Sequence, residues 1–208
     1  MSVCVRLISA CNTRMNGYPI TMRDDIVRWN KKYRDGNSNP DLEPDSILTS
    51  HSDLLDGKGT ALDLACGVGH NAIYLAARGY HVIAVDGSIT GLRYGRAAIR
   101  RKKLPISLIA ADLEHFTLPM AYFDVVLIVR FLYRPLFPQI KRSLKPNGLL
   151  IYKTFNINHH RKNPGFNEEY LVKHGELKKV FSDFHLIATN DSEGLEDNLT
   201  HLIARKPS

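Results

Sequence analysis

The sequence predicts an α/β fold in three layers, built on a seven-stranded, mostly parallel sheet with an antiparallel C-terminal strand. Three observations predict it. Five short apolar runs alternate with helical stretches, and each run is apolar throughout, as strands buried on both faces require. The first run ends in Gly67-Val68-Gly69 and passes at once into a helical pattern. After the fifth run, the tail offers two more strand candidates joined by a short link, which pair most easily as antiparallel neighbours.

The elements follow in order. A helix begins near Met22, with Asp24 and Asp25 suited to its first turn and Ile26, Trp29 and Tyr33 on one face. Residues 34–44 are rich in Gly, Asn, Asp and Pro and read as a loop, and a short helix is expected over 47–55. Strands are expected over 61–65, 82–85, 106–110, 125–129 and 149–152, with helices over 70–78, 88–103 and 135–144 between them. Residues 157–166 read as a polar, basic loop and 175–181 as a short helix. Strands over 185–189 and 200–204 close the chain. Residues 1–21 read as a disordered extension and 22–208 as a single domain.

The chain has 208 residues, 44% of them hydrophobic and 24% charged, which excludes disordered, collagenous and coiled-coil classes. No apolar run reaches the 18 or so residues of a membrane-spanning helix. The formal net charge of +7 permits an anionic partner without demanding one. Arg93, Arg96, Arg100, Arg101, Lys102 and Lys103 concentrate positive charge on one helix, but only Tyr94 lies among them to stack on a base. The three cysteines, Cys4, Cys11 and Cys66, have neither disulfide nor metal spacing, so a reducing cytoplasm and no metal are expected.

The turn at Gly67-Val68-Gly69 lets a ligand approach the backbone closely, and the helix behind it presents free N–H groups. Asp86 closes the second strand, 17 residues after Gly69, where a carboxylate can accept two ribose hydroxyls. This spacing alone admits a dinucleotide or another adenosine ligand. Three features favour the latter. Asp63 sits inside the first strand, where an acid needs a partner such as a cationic amine. Asp112-Leu113 follows the third strand, where it could bond an adenine amino group and pack on the ring. The chain also lacks a second mononucleotide half.

These residues resemble the class I S-adenosylmethionine-dependent methyltransferases, whose fold is Rossmann-like. Within that class the chain is most similar to the tellurite-resistance methyltransferases and their small bacterial relatives. The matching pieces are Leu62–Asn71, Tyr74–Tyr80, Leu144–Gly148, His174–Leu177 and Ala204–Pro207, together with the aromatic-basic stretch Trp29–Tyr33. The resemblance implies S-adenosylmethionine as cofactor. It places Asp63, Ala65, Cys66, Gly67, Gly69 and Asn71 around the methionine end. Asp86 would take the ribose with Gly87 and Ser88 beside it, Asp112 and Leu113 the adenine, while Val129 and Arg130 would border the methyl. Ala65 and Asn147 stand where the class has glycine. The link 192–197 is short and acidic, whereas tellurite-type members have a longer, basic one.

Methyl transfer from a sulfonium is an in-line displacement, and positioning supplies much of its rate. The fourth strand continues Arg130-Phe131-Leu132-Tyr133, not the Asn/Asp-Pro-Pro-aromatic of base-amino and glutamine-amide methyltransferases, and no cysteine follows it. The sequence therefore points to a small-molecule acceptor, without a nucleic-acid or membrane partner, on a monomer or weak homodimer. An RNA or protein methyltransferase and a noncatalytic adenosine-binding module are the alternatives. No catalytic residue is assigned. Trp29, Tyr33, Tyr133, His159 and His160 are the substrate-side candidates, beside Arg130 as a cation able to orient an anion.

Overall fold

The computed structural model describes residues 22–36, 43–191 and 197–208. The extension expected over 1–21 and most of the acidic link lie outside the described residues. Helix α1 (Met22–Arg34) and the short α2 (Ser46–Ser50) precede the sheet. Then follow β1 (Thr60–Leu64), α3 (His70–Ala77), β2 (His81–Asp86), α4 (Ile89–Lys102) and β3 (Ile106–Ala110). The second half holds β4 (Phe123–Val129), α5 (Phe137–Ser143), β5 (Leu144–Phe155), α6 (His159–Lys162), α7 (Glu176–Val180), β6 (His185–Thr189) and β7 (Leu199–Arg205).

The seven strands form one sheet in the order β3-β2-β1-β4-β5-β7-β6. Pairing is parallel from β3 across to β5, and β7 is antiparallel to both its neighbours. The three-layer α/β architecture with one antiparallel C-terminal strand is as the sequence predicts. The strand order reverses between β1 and β4, where the loops after neighbouring strands turn to opposite faces and open a crevice. The basic loop expected over 157–166 contains the one-turn α6, and β5 begins five residues earlier than its apolar run.

Strand alternation divides the core. Leu62, Leu64, Val126, Ile128, Leu150 and Tyr152 pack on one face against Phe137, Ile140 and Phe181. Ala61, Val82, Ala84, Leu127, Ile151 and Ile203 pack on the other against Leu48, Leu75 and Tyr80. Removing a fully buried leucine such as Leu62 or Leu127 costs about 3–5 kcal/mol, through lost burial and the cavity left behind. Near the start of β5 Asn147 has φ +61, a left-handed backbone that asparagine tolerates in place of glycine. Among the described residues no helix is long and apolar enough to cross a membrane.

Candidate active site

The loop after β1 bends sharply, with Ala65, Gly67 and Gly69 all at positive φ. Cys66 N–H donates to Val85 O and Gly69 N–H to Cys66 O, which ties the bend to β2 and closes it on itself. The Gly67 N–H donates to Asp86 Oδ2 at 2.7 Å, and the Ser88 N–H donates to Asp86 Oδ1 at 2.6 Å. Asp86 is thus held rigidly by two backbone donors at the carboxyl end of β2. Burial pushes its carboxyl upward, and the two N–H bonds pull the other way. A carboxylate with lone pairs left over, and with no cationic partner among the described residues, suits neutral hydroxyl donors.

Helix α1 lies across this corner. Asn30 Oδ1 accepts from Ser88 Oγ at 2.9 Å and from Thr90 N–H at 3.0 Å, fastening α1 to the start of α4. A Cβ added at Gly67 would stand 2.6 Å from the Tyr33 hydroxyl, and one at Gly91 would stand 2.8 Å from the Tyr33 ring. Glycine at both positions is what lets Tyr33 seat so deeply. Trp29 stacks at 5.8 Å on Tyr33, and Lys32 Nζ sits 4.4 Å from the Trp29 ring centre. Burial and the neighbouring Asp86 push the Tyr33 hydroxyl far up, so it stays a neutral donor.

The result is a cleft of about 550 Å³ at the crevice between β1 and β4. It suits a nucleoside-sized ligand with modest room beside it. From the expected cofactor set it brings together Ala65, Cys66, Gly67, Asn71, Asp86, Gly87, Ser88, Leu113, Val129 and Arg130. Trp29 and Tyr33 join it from the substrate-side candidates. An anchored diol acceptor, an open glycine bend and an apolar Leu113 fit the adenosine cofactor that the sequence resemblance implies. Burial, with a smaller contribution from Asp63 and Asp86, pushes the Cys66 thiol up and keeps it protonated.

Other candidates lie elsewhere. Asp63 is 1% exposed and sits beneath the loop, outside the cleft lining, and its Oδ2 has no hydrogen-bond partner. Burial pushes it up to about 7, with the Asp86 charge adding to the rise and the Ala72 N–H opposing it. Gly69 supports the bend from behind, and Asp112 caps its own turn by accepting from Glu114 N–H at 3.0 Å. Tyr133 packs against the core. His159 is buried between Phe155 and Phe166, with ring centres 4.1 and 4.7 Å away. Its Nδ1 lies 2.9 Å from the Asn198 amide and its Nε2 lies 3.1 Å from the Asn163 amide. Both contacts come from amide NH2 groups, which donate, so the neutral ring accepts from one of them at its unprotonated nitrogen. His160 borders a separate cavity of about 700 Å³, together with His174 and Glu176. The two histidines therefore do not reach the cleft.

Sequence reasoning missed Asp45, Phe131 and Lys153, which do line the cleft. Lys153 carried a signal: a cation at the carboxyl end of an apolar strand. Asp45 carried a weaker one, as a helix cap after a proline. Arg130 is exposed at the cleft with φ +56, a left-handed backbone unusual for arginine, and its N–H donates to Lys153 O at 2.7 Å.

Comparison with known proteins matches residues 61–148 to the methyltransferase domain family. Hemagglutinin 1 of Eikenella corrodens is 26% identical over 161 residues, covering 72% of this chain and 53% of that protein. The putative methyltransferase YqeM of Bacillus subtilis is 32% identical over 107 residues, 47% of this chain and 43% of its own. The chain thus spans about half the length of the curated relatives it matches. Among solved structures, a SAM-dependent methyltransferase from Aquifex aeolicus superposes with a TM-score of 0.63 at 18% identity, covering 85% of this chain and 97% of that one. TehB from Haemophilus influenzae superposes at 0.67 and 18% identity, covering 85% and 67%.

Proposed function

We propose that this chain acts as a class I S-adenosylmethionine-dependent methyltransferase, in line with the methyltransferase-domain match over residues 61–148, and that it transfers the cofactor's methyl group to a small molecule with an anionic group close to the nucleophile. The observation that carries the reading is the roofed cleft: α1, held by Asn30 and Tyr33, leaves only about 550 Å³ for cofactor and acceptor together. In this reading residues 22–208 act as one domain. Asp86 accepts the ribose hydroxyls, Leu113 packs on the adenine, and the bend from Ala65 to Gly69 faces the sulfonium side. The bound cofactor supplies an electrophilic methyl on positively charged sulfur. Arg130, at the end of β4, orients the acceptor's anion and keeps its nucleophile in line. A thiolate or another soft anion arrives deprotonated and needs no general base, and the reading assigns none of the titratable groups that line the cleft, among them His70 and Glu43, to that role. The cytoplasm is the compartment assumed, where the Cys66 thiol stays reduced.

The test is calorimetric titration with S-adenosylmethionine and S-adenosylhomocysteine, followed by a screen of small thiols, phenols and oxyanions for S-adenosylhomocysteine release. Binding of both with turnover of an anionic acceptor, weakened in Arg130→Ala through KM, supports the reading. Turnover of neutral acceptors with Arg130→Ala unaffected would overturn the anionic assignment.

A second reading has one observation in its favour. Arg93, Arg96, Arg100, Arg101, Lys102 and Lys103 lie exposed on or at the end of α4, and among the described residues none forms an ion pair. RNA as acceptor would require this face to bind phosphates, and the affinity would fall steeply with salt. Charge reversal at Arg96 and Arg100 that leaves turnover intact would dismiss it.

A further inference from the structure

The cavity beside α6 and α7 has no part in the reading above. It encloses about 700 Å³ and is walled by the segment after β4, by α6 and by the start of α7. Hydrogen bonds fix those walls. Ile157 N–H donates to Val172 O at 3.1 Å and Val172 N–H to Phe155 O at 3.0 Å, which joins the segment after β5 to the one before α7. Arg134 donates to Glu169 O at 2.7 Å and to Leu171 O at 2.9 Å, and it grips both oxygens of Glu176 at 2.7 and 2.9 Å. Buried Asp191 accepts from Gly175 N–H at 2.7 Å and from Lys178 N–H at 3.1 Å, which holds the start of α7. A ligand entering such a cavity does not have to order it first.

In the cleft, Lys153 Nζ is bonded to Asp45 Oδ1 at 2.6 Å. In the cavity the polar groups are used unevenly. Glu176 is fully occupied by two Arg134 donors and by the Lys173 N–H at 2.9 Å, and it neutralises Arg134 in turn. Glu168 has its side chain 81% exposed and lies 3.8 Å from His160 Nε2, beyond hydrogen-bond length. Lys173 and Lys179 are exposed and form no ion pair among the described residues. His160 Nδ1 and His174 Nδ1 are buried and have no hydrogen-bond partner among the described residues. A buried polar atom left so calls for an explanation. The second torsion of a histidine is broad and roughly two-fold, so a half-turn carries that nitrogen to the opposite edge of the ring. The His160 side chain is 39% exposed, so its ring is within reach of the cavity. The two histidines belong to no group of three ligand-bearing side chains close enough to share an ion among the described residues, which argues against a metal. Two imidazoles, each with an N–H to give, two lysines and the half-exposed Ile157 remain for a ligand.

We infer that this cavity is a second binding site, for a small organic anion: an oxyanion head taken by His160, His174 and the two lysines, and a short apolar body against Ile157 and Leu171. It shares the segment after β4 with the cleft, since Arg130 lines one and Arg134 the other. The inference does not rest on the cofactor reading.

The experiment titrates the full chain with n-butyl phosphate, inorganic phosphate and n-butanol at fixed pH and follows the imidazole resonances by NMR. His160→Ala and His174→Ala identify the two resonances by their loss. n-Butyl phosphate should move both and bind roughly tenfold more tightly than inorganic phosphate, as a few buried methylenes supply. n-Butanol should move neither. Each alanine variant should weaken n-butyl phosphate by about fivefold or more, while His160→Gln and His174→Gln, which still donate, should retain most of the affinity. Arg130→Ala, in the cleft, should bind the ester as the parent does. Histidine resonances that stay in place, or that n-butanol moves as far as the ester does, overturn the inference. So do alanine variants that bind like the parent, and a loss of affinity confined to Arg130→Ala. Inorganic phosphate binding as tightly as the ester overturns the assignment to an organic anion. None of these readouts uses S-adenosylmethionine, so this inference and the cofactor reading fail separately.

Discussion

The cleft and the segment following β5 both lie at the carboxyl ends of strands, and both are rich in polar side chains, but those side chains are spent differently. In the cleft, backbone donors hold Asp86 and an ion pair holds Lys153, so each keeps unused valences toward open space. After β5 most of the polar groups bond one another, although His160 Nδ1 and His174 Nδ1 are buried without a partner among the described residues. Asn198 and Asn163 close on His159, Asn156 bonds Thr200 Oγ1 and Asp197 O, and Arg134 grips Glu176 while donating to two backbone carbonyls. A polar cluster signals a ligand only when its own fold leaves it unsatisfied.

That contrast breaks if variants in one region behave like those in the other. The largest effect is expected from Asp86→Ala, which should weaken S-adenosylhomocysteine by about 100-fold or more, as two charge-assisted bonds to hydroxyls are lost. Calorimetry measures it, and the thermal midpoint should fall as well, because the Gly67 and Ser88 N–H groups lose their acceptor. Arg134→Ala should lower stability alone. It leaves Glu176 and the Glu169 and Leu171 carbonyls short of a donor, at a cost of roughly 2–3 kcal/mol. In a chain of this size that lowers the melting temperature by about 5–10 °C, while ligand affinity holds; a comparable loss of affinity would merge the two regions.

Asp63 gives a pH-dependent effect of intermediate size. Burial holds its carboxyl at about 7 in the folded protein, so the fold keeps a proton that the unfolded chain has released. The stability this contributes is complete below the ordinary carboxylate range and is lost as pH rises through about 7. Asp63→Asn removes the penalty, so its melting temperature should exceed the parent's by several degrees at pH 8 and approach it at pH 5. Scans at both pH values check this, and a gap that does not depend on pH would show that Asp63 is not titrating. The smallest effect belongs to Asn30→Ala, which removes the fastening of α1 to Ser88 and Thr90. About a fivefold weakening of S-adenosylhomocysteine is expected, near 1 kcal/mol, read by the same titration.

Much of this was legible in the chain. Apolar runs separated by helical stretches exposed the sheet, because a strand covered on both faces has no polar alternation to hide it. The glycine bend and Asp86 were legible because their spacing follows from a strand, a turn and a helix of fixed lengths. The Asp45–Lys153 pair was not, since nothing local links residues 108 positions apart. His159 misled for the same reason. Two adjacent histidines in a basic stretch look free, and the amides that contact His159 come from Asn163 and from Asn198 beyond β6. Asp63 was read as facing a cationic ligand because an acid in a buried strand demands compensation. Burial raises its carboxyl to about 7, and its Oδ2 has no partner among the described residues.

The seating of Tyr33 over Gly67 sets a clock as well as a shape. The hydroxyl occupies the approach to the glycine bend, so anything lodged there leaves only as fast as α1 lifts away. Asp86 thereby sets most of the depth of the well, and the Asn30 fastening adds a smaller share of that depth and sets how high the rim stands. Loosening that fastening would let spent S-adenosylhomocysteine escape sooner, so a variant that binds more weakly would cycle faster wherever departure of the product limits the rate.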